Sequence, residues 1–143
     1  MKSQEVSKQG NKYVQLYCSQ DGSTQAFPMK RKLEAHETLL LLFARDGVPN
    51  VMVMDGACEQ VMGEFRRKCH QAGVHVKQTE PHTPFSNAAE SAIREQKKGM
   101  ARQMVRGKTP KVLWDHCVER EVLVRSTTAH DLYQLKSQVP ERR

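Results

Sequence analysis

The sequence predicts an α/β fold, a mixed sheet flanked by helices, on three observations. Val51-Met52-Val53-Met54 is a continuous apolar run that stops at Asp55-Gly56, the pattern of a strand buried on both faces. A strand, a helix and a second strand follow one another between Val51 and Gln78, and such a unit crosses over right-handed, which makes its strands parallel. Upstream, two runs of strand formers flank Asp21-Gly22, a hairpin signal.

Taken in order, residues 1–10 are polar and mixed in charge, with no pattern that demands order. Tyr13–Cys18 and Thr24–Met29 are the two hairpin strands, the second ending near Pro28, which cannot donate to a ladder. Leu33 to Arg45 reads as a helix with Leu33, His36 or Glu37, Leu40, Phe43 and Ala44 at helical spacing. The apolar run Leu39–Phe43 predicts that it is well buried, and Asp46-Gly47-Val48-Pro49 stops it. A second helix, from about Cys58 to Ala72, turns Val61, Met62, Phe65, Cys69 and Ala72 inward, and Gly73 caps its end. Val74–Gln78 alternates as a half-buried strand should.

Thr79 to Ser86, with Pro81 and Pro84, reads as a loop. Asn87 then caps a long helix to about Arg106, with Ala89, Ile93, Gln96, Met100 and Met104 on one side. Thr109-Pro110 opens a last helix, with Leu113, Cys117 and Val124 inward and Trp114 available for packing. The expected organisation is a lead-in over 1–10, one core over 11–125 and a tail over 126–143.

Composition narrows the function. The chain has 143 residues, 38% hydrophobic and 27% charged, which suits one soluble domain. Its longest apolar run, Leu39–Ala44, is far short of a membrane span, and no apolar segment follows Lys2 as in a signal peptide. An intracellular protein is the expectation. A net charge of +7 favours polyanionic partners. The four cysteines contain no Cys-x-x-Cys pair, so neither a disulfide framework nor a tetrahedral zinc site follows. Cys69-His70, His75 and His82 match no zinc spacing and read as solvated histidines.

Asp55 ends the apolar strand, where open α/β sheets keep their ligands, so it is a candidate metal-binding carboxylate. It is equally a plain Asp-Gly turn residue. Glu90 is the second candidate, although Asn87-x-x-Glu90 has capping-box spacing and Glu90–Arg94 is an ordinary i,i+4 pair. Arg94, Lys98, Arg102 and Arg106 follow at four-residue intervals with Lys97 beside them. That stripe fits a phosphate backbone or a merely solvated face.

Val53-Met54-Asp55-Gly56-x-x-Glu59-x-x-x-x-Glu64-Phe65, followed by Thr79-Glu80-Pro81-His82-Thr83-Pro84-x-x-Asn87-x-x-Glu90, resembles the catalytic core of copia-type LTR retrotransposon integrases. The likeness runs from about Gly10 to Tyr133 and takes in Pro110-Lys111-Val112-Leu113-Trp114. It implies an RNase H-like fold, a nuclear role in DNA integration, and a three-carboxylate site for two Mg²⁺ or Mn²⁺ ions. Those ions serve phosphodiester cleavage and strand transfer. Asp55 is then the second carboxylate and Glu90 the third, although the thirty-four residues between them are one fewer than the family pattern. Arg94 and Lys97 match positions that hold element-end DNA; Lys98, Arg102, Arg106 and Asn87 join them as candidate DNA contacts, and a homodimer is compatible with the resemblance. His82 and Phe85 flank the site.

The family's first aspartate lies on an opening strand ahead of the hairpin, whereas residues 1–11 contain no aspartate and Asp21 falls in a turn. The resemblance therefore implies a core truncated at its amino end, lacking its central first strand and inactive as it stands. The alternatives are a non-catalytic nucleic-acid-binding remnant and an unrelated RNase H-like nuclease.

Overall fold

The computed structural model describes residues 2, 5–19, 23–55, 63–79 and 84–127, with residues 55 and 84–89 described by their backbone alone. Two strands open the fold, β1 (Tyr13–Cys18) and β2 (Thr24–Met29), paired antiparallel with Tyr13 opposite Met29 and Cys18 opposite Thr24. A 3₁₀ turn, Lys32–Glu34, leads into α1 (Ala35–Asp46), then β3 (Val51–Asp55), α2 (Gly63–Gln71) and β4 (His75–Thr79). The long helix α3 (Pro84–Arg106) is followed by a 3₁₀ turn, Lys111–Leu113, and α4 (Trp114–Thr127). β3 and β4 are parallel, Val51 opposite His75 and Asp55 opposite Thr79, as the strand–helix–strand pattern predicts.

The hairpin separates two cores. Its side chains alternate, so Tyr13, Tyr17, Phe27 and Met29 face one way and Val14, Leu16 and Ala26 the other. On the first side they meet Ala35, Leu39 and Leu42 of α1, Phe65 and Cys69 of α2, and Met52, Met54 and Val76 of the parallel pair. Tyr17 stacks edge-on against Phe27, centroids 5.8 Å apart, and its hydroxyl pairs with that of Thr38 at 2.9 Å. On the second side Val14 and Ala26 meet Trp114, Val118 and Val122 of α4, with Met100 and Met104 of α3 alongside.

Local chemistry explains the element ends. Gly73, at φ 76°, closes α2 as expected: its N–H donates to His70 O and Val74 N–H donates to Cys69 O, the paired bonds of a Schellman cap. Pro84 is the first residue of α3, where its missing N–H costs nothing. Pro28 sits opposite Val14 in β2, which ends one residue later at Met29, as expected.

Several expectations are corrected. Val51 and Val53 are 45% and 40% exposed, so β3 is buried on one face only, that of Met52 and Met54. α1 turns Ala35, Thr38, Leu39 and Leu42 inward and leaves Leu33, Leu40 and Leu41 in solvent, the opposite face from the one read from spacing. Burying Thr38 gives the Tyr17 phenol its partner, which an all-apolar stripe would not. In α4 the buried series is Trp114, Val118, Val122 and Ser126, and Val124 is exposed; Cys117 and Leu113 are half-buried. Ala72 is exposed beyond the end of α2. α3 starts three residues before Asn87, which is therefore inside the helix rather than its cap. The Asp21-Gly22 turn, the α2 start at Cys58 with Val61 and Met62, the Glu80–Thr83 loop and the tail from residue 128 lie outside the described residues.

Residues 5–11 are tied to α4 through a buried polar cluster. Asn11 Nδ2 donates to Asp115 Oδ2 at 2.9 Å, Asn11 N–H donates to Ser7 Oγ, and the Trp114 indole donates to Glu5 O. Lys8 N–H donates to Val112 O. Burial pushes the Asp115 carboxyl up, but hydrogen bonds from Asn11, Ser7 and the His116 backbone outweigh it and hold it below the ordinary range.

Among the described residues the strands form two separate two-stranded sheets. One isolated antiparallel bridge, Lys2 to Tyr13, lies on the edge of β1 away from β2.

Two outcomes follow. Leu39→Ala is expected to lower the unfolding free energy in urea by about 2–5 kcal/mol, and Leu41→Ala to change it by less than about 0.5 kcal/mol. The depressed Asp115 carboxyl stabilises the fold above its unfolded value, near pH 4, and that contribution is lost as pH falls through the lower native value. Asp115→Asn should therefore flatten the acid limb of stability below about pH 4, read by pH-dependent urea melts.

Candidate nucleic-acid interface and metal ligands

Asp55 closes β3 at its carboxyl end, in register with Thr79, whose hydroxyl donates to Met54 O at 3.4 Å. That is the expected position for a ligand in an open α/β sheet, and α3 packs against both β3 and β1. Glu90 lies in the second turn of α3 and is exposed. The Glu90–Arg94 ion pair does not form, and with Asn87 inside the helix the capping-box explanation of Glu90 falls away. Among the described residues no group of three His, Cys, Asp or Glu side chains forms a metal cage.

The basic stripe is real. Arg94, Lys97, Lys98, Arg102 and Arg106 are all exposed, and Arg94, Lys97 and Lys98 lie on the side of α3 away from the face that turns Gln96 and Gly99 into the protein. That inner face is held by Gln96 Nε2 donating to Val118 O at 3.1 Å and by Gln103 donating to Glu121. A β-carbon at Gly99 would fall on the Glu121 carboxylate, so glycine allows the two helices their close approach. Lys98 pairs with Glu95 at 3.1 Å, and this hydrogen bond and charge, with Arg125 and Arg102 nearby, hold the Glu95 carboxyl below its usual range. Among the described residues Arg94, Lys97, Arg102 and Arg106 have no carboxylate within ion-pair distance. Glu90 stands one step ahead of Arg94 in the same four-residue progression, so the row runs carboxylate first and cations after.

His82 lies outside the described residues, and the side chains of Phe85 and Asn87 are not among those described. Spacing alone had missed Arg66, Arg67, His70 and His75, which line one groove between α2 and β4. They come from two elements, and the clue was that His75 falls on the outward side of an alternating strand.

No helix of the described residues is long and apolar enough to cross a membrane. No protein-family model matches the chain, and no curated protein sequence matches it. Solved structures do. A chain of the simian T-cell lymphotropic virus intasome, determined in complex with PP2A regulatory subunit B56 gamma, superposes with a TM-score of 0.62 at 18% identity over 80% of this chain. The match spans 46% of that chain, about half its length. The catalytic core domain of BIV integrase superposes with a TM-score of 0.67 at 14% identity, over 90% of this chain and 89% of that one. The HTLV-2 integrase catalytic core domain, determined in complex with magnesium in a trimeric form, gives 0.66 at 11% identity over 91% and 90%. At these identities the likeness speaks for architecture alone: the mixed α/β fold is similar to that of these integrase catalytic core domains.

Proposed function

We propose that this chain is an integrase-type catalytic core of retrotransposon origin that binds DNA through α3, with Asp55 and Glu90 as its metal-binding carboxylates. The observation that carries the reading is the position of Asp55 at the carboxyl end of β3, beside a helix whose exposed face presents Glu90 and then four or more cations. Two carboxylates are hard oxygen donors suited to Mg²⁺ or Mn²⁺. With two carboxylates, the donor set fits one ion completed by water rather than a bridged pair. When bound, such an ion supplies Lewis-acid chemistry at a phosphodiester.

The protein's own contribution is positional. Arg94, Lys97, Lys98, Arg102 and Arg106 neutralise successive phosphates along the helix and so set the register of the DNA. Glu90, at the head of the row, repels the same backbone unless a cation intervenes, which ties DNA placement to the metal. Residues 1–11 contain no aspartate, and Asp55 and Glu90 are the two carboxylates assigned to the metal. The same surface serves a non-catalytic nucleic-acid-binding remnant if no metal is taken up.

The 143-residue chain is expected to bind duplex DNA with steep salt dependence and to show no nicking with Mg²⁺ or Mn²⁺ in a supercoiled-plasmid assay. Metal-dependent nicking that Asp55→Asn abolishes would overturn the inactive reading while supporting the site. Arg102→Gln with Arg106→Gln should make the slope of log affinity against log salt shallower by about 2. Glu90→Gln should strengthen binding in EDTA and remove its dependence on Mg²⁺.

A further inference from the structure

α2 and β4 enclose a groove of about 760 Å³ lined by Arg66, Arg67, His70, His75 and Gln78 over a floor that includes Gly73, Val74 and Val76. Among the described residues no acidic side chain lines it. Arg66 Nη2 donates to Gln78 Oε1 at 2.9 Å, which fixes the guanidinium, while Arg66 Nε is buried with no hydrogen-bond partner. A buried guanidinium donor left unpaired is costly, and turning the Arg66 side chain toward an acceptor in the groove would relieve it. Arg67 keeps 62% of its side chain exposed, paired with Glu64 at 2.8 Å outside the groove lining. Two guanidiniums facing one cavity attract an anion, and imidazole N–H groups beside them can donate hydrogen bonds to it. Arginine's planar fork, with donors on one edge, matches a phosphate oxygen pair.

We propose that this groove is a phosphate-binding site, separate from the α3 stripe, and that its ligand is the phosphodiester backbone of a nucleic acid. The phosphodiester source rests on the DNA-binding reading above; the anion site does not. Two cationic surfaces on different elements let the domain hold two backbones, or two stretches of one.

The test uses the full chain and two probes: a fluorescein-labelled 20-base-pair duplex followed by anisotropy from 50 to 300 mM salt, and inorganic phosphate. Imidazole signals of His70 and His75 are followed by NMR with each. The duplex is expected to shift both imidazoles. Arg67→Gln should make the salt slope shallower by about 1 and Arg66→Gln with Arg67→Gln by about 2, at unchanged melting temperature for Arg67→Gln. If the duplex binds, Arg102→Gln with Arg106→Gln alters its slope, and neither the imidazoles nor the Arg67→Gln slope respond, the groove proposal is overturned and the DNA reading survives. If phosphate shifts the imidazoles and the duplex does not bind, the anion site stands and the nucleic-acid source is overturned. If phosphate and duplex both bind but only phosphate moves the imidazoles, the groove takes free phosphate. Silence of the imidazoles to both probes overturns the site.

Discussion

Everything in this fold leans on the two-stranded hairpin, because its two faces are the inner walls of two different cores. Strand alternation sends Tyr17, Phe27 and Met29 toward α1 and α2, and Val14 and Ala26 toward α4. A one-residue slip of β1 against β2 would exchange those faces and strip both cores at once. The polar ties secure the same wall. Ser126 of α4 donates to Thr24 O and accepts from Thr24 N–H, and the Asn11–Asp115 bond anchors the entry to β1. The parallel β3–β4 pair is held less fully, since only its Met52, Met54 and Val76 side has a core to join.

That asymmetry shapes the functional surface. The wall gives α3 and α4 a rigid base, and the residues α3 spends on α4, Gln96, Gly99 and Gln103, force its cations outward in a row. A stripe on a fixed helix presents charges at a regular pitch of about 6 Å per four-residue step, close to the spacing of phosphates along a strand. Asp55 ends β3, a strand that α3 packs against. The groove of Arg66 and His75 lies elsewhere, between α2 and β4, and is a second cationic surface.

What the sequence made legible was periodicity with contrast. The hairpin strands, the parallel unit, Phe65 and Cys69 inside α2, the Gly73 cap and the exposed α3 cations were all readable because polar and apolar residues alternate clearly there. α1 was misread because Leu39-Leu40-Leu41-Leu42-Phe43 offers no contrast: any face can look like the core, and the face chosen in the fold depends on Thr38 meeting Tyr17. α4 was misread because Asp115, a charged residue beside Trp114, belongs to the buried side through Asn11 and Ser7, more than 100 residues away. The strand Val51–Met54 looked buried on both faces since nothing local distinguishes a covered face from an open one. The basic groove stayed hidden because its residues come from a helix and a strand that only folding brings together. Asp55 and Glu90 are proposed from their position in a motif, a signal that periodicity alone does not carry.

The most direct measurement of the central claim is paramagnetic broadening by Mn²⁺ in ¹⁵N spectra of the chain without DNA. Amides of Met54, Asp55 and Thr79 at the end of the parallel pair, and of Glu90 and Ser91 on α3, should broaden together at the lowest metal concentrations. Asp55→Asn and Glu90→Gln should each abolish that common response. Broadening centred elsewhere, or at Asp55 and Glu90 independently with each surviving loss of the other, would contradict a shared two-carboxylate site.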